Sequence, residues 1–282
     1  VLGVVGSVGR KTSINTMLDL LKQGVSPSLG FVFLITSRNM TVHFWAIFAL
    51  SLGAEFATGQ VLGALVMIGI VALSLHWIKI KTVEAVPRNK SGRKRAMDLP
   101  EFGSWQAVLF SLNGWLAILK FIGQEIWRFA PSLGLGIVLG GIILAAGLRN
   151  WWVTVADLFG YATLPSDLTN AFFGAGLAML TSLSPVGNLP LIHALFKTDG
   201  LGYPGIISFC LASAIHPRDI RTYIQLFGRR QGLILVGLLY GTAVLGGLGS
   251  TWIYAMFGFR PSLPPVRLIG KLLGGLLSSF GF

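Results

Sequence analysis

Sulfur and charge are the two things this chain has least of. A single cysteine, Cys210, serves all 282 residues. One thiol forms no intrachain disulfide and no cysteine-based metal cluster. Cys210 is at most a weak metal candidate, and it suits a core position as a small apolar side chain. Charged residues make up 11% of the sequence, less than half the roughly 25% of a soluble domain. So few charges cannot clothe a chain of this length in water. Acids are scarcer still, with 10 Asp and Glu against 22 Lys and Arg and a formal net charge of +12. His193 and His216 share no metal-ligand spacing. There is no Gly-rich phosphate loop ending in Lys-Ser or Lys-Thr, no His-Glu-x-x-His and no Ser/His/Asp arrangement. Neither an enzymatic activity nor a bound cofactor is expected.

What the chain does have is apolar length: 53% of its residues are hydrophobic. Lipid is the solvent that such a composition fits. Apolar stretches over 27–50 and 53–77 each exceed the roughly 20 residues needed to cross a hydrocarbon core of about 30 Å. Further spans are expected at 105–126, 131–148 and 151–164, the last of which could lie in the interface. Others are expected at 168–183, 203–215 and 232–257, with a short apolar tail at 266–282. Before the first span, 12–23 reads as a short helix capped by Ser13 or Asn15 and ending at Gly24. The junction Leu50-Ser51-Leu52-Gly53 suits a tight hairpin. The expected fold is an all-α polytopic transmembrane bundle of about seven to nine membrane segments.

The basic residues are concentrated in short segments. Lys79, Lys81, Arg88, Lys90, Arg93, Lys94 and Arg95 fall in one loop, as a cytoplasmic loop facing anionic lipid would require. Membrane lipid, not nucleic acid, is therefore the expected macroscopic partner. The chain begins at Val1, and its first apolar stretch lacks the charged start of a cleavable signal. A true N-terminus further upstream is expected.

One pattern recurs. A short helix, Lys22, Gly24 and Pro27 precede an apolar segment carrying Leu34 and Thr36. About 175 residues later, Lys197, Gly200 and Pro204 precede Leu211 and Ser213. Breaks at matching positions are the mark of duplicated, inverted transporter halves. Broken helices leave backbone groups at membrane depth that protein, water or substrate must satisfy. The expected organisation is a first half over 1–78, a basic loop over 79–103, linking helices over 104–167 and a second half over 168–282.

At these residues the sequence resembles a bacterial predicted-permease family that includes the organoarsenical efflux permeases. Ser184-Pro185-Val186-Gly187-Asn188-Leu189-Pro190-Leu191 is similar to the family's Cys-Ser-Val-Gly-Asn-x-Pro-Leu. Thr36-Ser37-Arg38-Asn39-Met40 resembles its Ala-Ser-Thr-Asn-Leu. Leu52-Gly53-Ala54-Glu55-Phe56-Ala57 resembles its Leu-Gly-Trp-Gln-Phe-Ala. The resemblance is continuous over 13–70 and 184–240. It implies a two-repeat membrane permease. Two departures bear on chemistry. Ser184 stands where the family has the cysteine suited to soft metalloids, and Gln60 stands where an acid is common.

The candidate substrate-binding residues are Ser37, Arg38 and Asn39 in the first half, with Ser184, Gly187, Asn188 and Pro190 in the second. A guanidinium at mid-span usually faces a partner or a wet cavity. Arg38 therefore reads either as an anion-binding or gating residue or as a group tied to backbone carbonyls. Asn39 and Asn188 read as polar lining or as helix caps. Asp219 is expected to pair with a neighbouring arginine of the segment that holds Arg218, Arg221, Arg229 and Arg230. The function these features favour is a permease or exporter in the inner (plasma) membrane. It would move a small metalloid, metal or organic solute between two halves. The alternative is a non-transporting subunit of a larger membrane complex, whose 37 glycines serve helix packing; the partners expected besides lipid and solute are a second copy of the chain or such a complex.

Overall fold

The computed structural model describes residues 10–78, 111–146, 154, 166–181, 183 and 185–259. Among the described residues the regular elements are helical, and no strand occurs. The expected basic loop and the apolar tail lie outside them, as do Ser184 and nearly all of 151–164.

The first helices form a hairpin, α1 (Arg10–Lys22) and α2 (Pro27–Asn39). Ser26 opens α2: its hydroxyl accepts from the Leu29 amide at 3.4 Å. Pro27 follows at a position where its missing N–H costs nothing. α3 (Val42–Leu52) and α4 (Ala54–Trp77) come next, hinged at Gly53. A long helix, α5 (Leu112–Ala146), precedes α6 (Ser166–Thr181). A second hairpin joins α7 (Pro185–Lys197) to α8 (Tyr203–Leu211), which ends in a 3-10 turn (Ala212–Ala214). The last helix, α9 (Pro217–Met256), is kinked at Gly228.

The kink and the hinge have the same geometry. Gly53 has φ 99° and ψ 161°, and Gly228 has φ 79° and ψ 162°. This region is accessible essentially only to glycine. The two glycines are 175 residues apart, about the offset of the recurring sequence pattern. Gly53→Ala or Gly228→Ala is expected to lower stability by about 1–3 kcal/mol. Gly237→Ala, inside α9 with open space around it, is expected to be neutral or mildly stabilising. Melting curves of the detergent-solubilised variants would check this; equal effects at all three sites would mean that the two bends bear no strain.

α8 is the centre of the bundle. All nine of its residues are buried, as befits a helix apolar on every face. It lies against α4, α6 and α9, and α2 packs beside it on α4. Tyr223, Phe31, Phe48, Phe56 and Phe209 are the largest fully buried side chains. α5 and α7 form a separate pair that reaches the bundle through α3 and α8.

Several expectations are corrected. The stretch 27–50 is not one span, because α2 stops at Asn39 and α3 starts at Val42. At 1.5 Å per residue, α2 is about 20 Å long and α8 about 14 Å, so each falls short of the roughly 30 Å core. The two spans expected between 105 and 148 are one helix, α5, which carries Pro131 in its interior. The break expected over 184–190 is helical from Pro185 onward, with Pro190 inside α7. Close packing on α5 holds that turn together despite the proline. Ser13 lies inside α1, not at its cap, and so does Asn15. Two described helices, α4 and α9, are long and apolar enough to cross a membrane; the apolar stretch Ala130–Ala146 is shorter.

Candidate functional site

The carboxyl ends of the two short helices meet. α2 ends on Ser37-Arg38-Asn39, all three buried. α8 ends on the 3-10 turn that holds Ser213. Arg38 Nη1 donates to the Ser213 carbonyl at 2.9 Å and to Asp219 Oδ2 at 2.7 Å. The two charged side chains are only 6% and 3% exposed. The guanidinium thus sits at the carbonyl ends of α2 and α8, and the carboxylate sits in the first turn of α9. Each charge faces the end of a helix macrodipole that favours it. The structure adds a partner for Asp219 that the expectation did not name: it pairs with Arg38, across 181 residues.

Asn39 continues the junction. Its Oδ1 accepts from Gln60 Nε2 at 3.1 Å and from Ser213 Oγ at 3.1 Å. Four elements (α2, α4, the 3-10 turn and α9) therefore meet through Arg38, Asn39, Gln60, Ser213 and Asp219. Asn39 and Gln60 are each 2% exposed. Yet Asn39 Nδ2 and Gln60 Oε1 have no hydrogen-bond partner among the described residues. Such buried, unsatisfied polar atoms are costly, about 1–3 kcal/mol each.

The other candidates lie differently. Ser37 is buried, but its hydroxyl donates back to the Leu34 carbonyl at 3.0 Å, a bond within its own helix. Gly187 meets α5, where a Cβ on Gly136 would overlap the Gly187 carbonyl. The Pro190 carbonyl lies 2.9 Å from the ideal Cβ position of Gly140. Gly187 and Pro190 thus mark the α5–α7 contact. Asn188 is buried on the same helix, and its Oδ1 has no partner among the described residues. Cys210 is buried in α8 as a free thiol. No group of three or more potential metal ligands occurs among the described residues.

A second polar cluster was not anticipated. Tyr254 donates to the Glu55 carbonyl at 2.8 Å, and Tyr203 donates to the same oxygen at 3.4 Å. Thr58 Oγ1 shares a short hydrogen bond with the Tyr254 hydroxyl. These groups join the start of α4 to α8 and α9. Tyrosines spread over an apolar sequence give no periodic signal, so nothing in the pattern marked them out.

An apolar helical bundle with charged and amide side chains sealed inside it is the interior of an integral membrane protein, where polar groups must find partners within the fold. A predicted-permease family, ArsP_1, matches residues 1–250, and the chain belongs to that family. It is also similar to Rv2963, a candidate permease of Mycobacterium tuberculosis, with 24% identity over 279 residues. That match covers 94% of this chain and 66% of Rv2963, so the chain spans just under two thirds of its relative. No solved structure matches the chain. Membership of a predicted-permease family makes this an integral membrane protein.

Proposed function

We propose that the chain is a multi-pass permease or exporter of the inner (plasma) membrane, built from two related, inverted halves. It would move a small metalloid, metal or organic solute past the junction of its short helices. The observation that carries this reading is the meeting of α2 and α8 at Arg38, Asn39, Ser213 and Asp219. Helices that end inside an apolar bundle expose carbonyls and side chains able to hold a solute. The matching bends at Gly53 and Gly228 support the two-half organisation. Arg38, Asn39, Gln60 and Ser213 line the proposed site. Ser37 shapes the end of α2. Asn188, carried on α7 between Gly187 and Pro190, is a second polar position that α7 would move against α5 as access alternates.

The test is flux into everted membrane vesicles across a panel of arsenicals, oxyanions and thiols. At least one solute is expected to accumulate. Arg38→Ala is expected to cut that flux at least about tenfold, as does a loss of about 1.4 kcal/mol in binding. Asn188→Ala is expected to have a smaller effect. If no solute moves and neither substitution matters, the reading is wrong. Co-purification of stoichiometric partner chains in that case would favour the non-transporting subunit.

A further inference from the structure

The charge balance of the junction says which solutes it accepts. Arg38 is the cation of the proposed site, and an isolated buried guanidinium would attract anions. It is not isolated. Asp219 holds it at 2.7 Å, and the Ser213 carbonyl takes a further donor contact at 2.9 Å. An arriving anion would meet a guanidinium whose charge Asp219 already balances, and displacing Asp219 would leave a buried carboxylate without its cation, at a cost larger than the exchange returns. Beside this neutralised pair lie one amide N–H group and one amide oxygen with no partner among the described residues, Asn39 Nδ2 and Gln60 Oε1. Exchanging N and O in both amides leaves the same inventory, one NH2 donor group and one carbonyl oxygen acceptor. These groups complement an uncharged solute that carries both a hydrogen-bond acceptor and a donor, such as a hydroxyl or amide compound.

We infer that Asp219 is a specificity-determining residue: it acts as a resident counter-anion on Arg38, so that the site rejects anions and takes uncharged hydrogen-bonding solutes through Asn39 and Gln60. The inference rests on the permease reading only for its meaning in transport; the charge assignment itself can be read by binding.

Nitrate is the probe, being small, planar and singly charged. Its binding to the purified full chain in detergent is measured by melting shift, with gluconate at equal ionic strength as the blank. The wild type is expected to show no nitrate shift. Asp219→Asn, which leaves the guanidinium uncancelled, is expected to bind nitrate at least about tenfold more tightly than the wild type. The double variant Arg38→Gln/Asp219→Asn is expected to lose that gain. A pair with only a structural role would lower the melting temperature without creating anion binding. Should Asp219→Asn not fold, Asp219→Ser also removes the carboxylate, and the same Arg38-dependent gain is expected there. Nitrate binding by the wild type equal to that of the variants overturns the inference. So does the lack of any gain, or a gain that survives loss of Arg38. Solute flux in vesicles together with wild-type nitrate binding would remove this inference alone. A nitrate gain with no flux of any solute would remove the permease reading alone.

Discussion

Replacing Arg38 with leucine while Asp219 remains is expected to lower the unfolding free energy by about 3–5 kcal/mol, because the carboxylate stays buried with its cation gone. Arg38→Leu/Asp219→Leu is expected to recover most of that loss, since a buried ion pair is often no more stabilising than apolar residues of similar volume. The double variant still leaves the Ser213 carbonyl short of the donor Arg38 now provides, a residual cost of about 1 kcal/mol. Denaturant titration in mixed micelles gives all the values needed for the double-mutant cycle. Additive losses would mean that the two charges do not depend on each other. The contrast with transport is informative. The double variant should be well folded, yet it lacks the Arg38 donor that ties the end of α2 to the 3-10 turn, so flux should stay low.

Gly174→Leu is expected to cost more than 3 kcal/mol and to prevent assembly of the central helices. A Cβ on Gly174 would overlap the Gly205 carbonyl, and one on Gly205 would come within 2.8 Å of the Asn170 carbonyl oxygen. Backbone faces backbone here, so no flexible side chain can move aside. Overpacking of this kind forces whole helices apart. α8 would leave its place between α6 and α9, and Ser213 would move with it. Gly141→Leu, in open space on α5, serves as the control and should leave folding intact. Expression level and monodispersity in detergent read the difference directly. Similar behaviour of the two variants would mean that the α6–α8 contact is not tightly packed in the folded protein.

Much of the local structure was legible. Pro27 and Pro204 open helices at the places their chemistry allows, and Gly53 bends the chain as the Leu50–Gly53 junction implied. Arg38 and Asn39 stood out because a guanidinium and an amide in an apolar stretch need partners. Who those partners are was not legible. Asp219 sits among Arg218, Arg221, Arg229 and Arg230 in the sequence, and proximity along the chain favoured them. The helix start at Pro217 places the carboxylate in the first turn of α9, beside the ends of α2 and α8. The motif around Asn188 was likewise read as a break, because two prolines and a glycine usually interrupt a helix. Packing on α5 makes it helical instead.

Composition and local pattern by themselves determined the solvent, the predominantly helical architecture and the bend at Gly53. These follow from transfer free energy and from the restricted dihedrals of proline and glycine, which act within a few residues. Only the tertiary structure decided that the end of α2 meets the end of α8, that Arg38 finds Asp219, and that Asn39 and Gln60 share one bond while Asn39 Nδ2 and Gln60 Oε1 find no hydrogen-bond partner among the described residues. Those outcomes depend on how helices cross. Crossing is set by backbone approach at contacts such as Gly174 with Gly205, between residues whose relation no local pattern records.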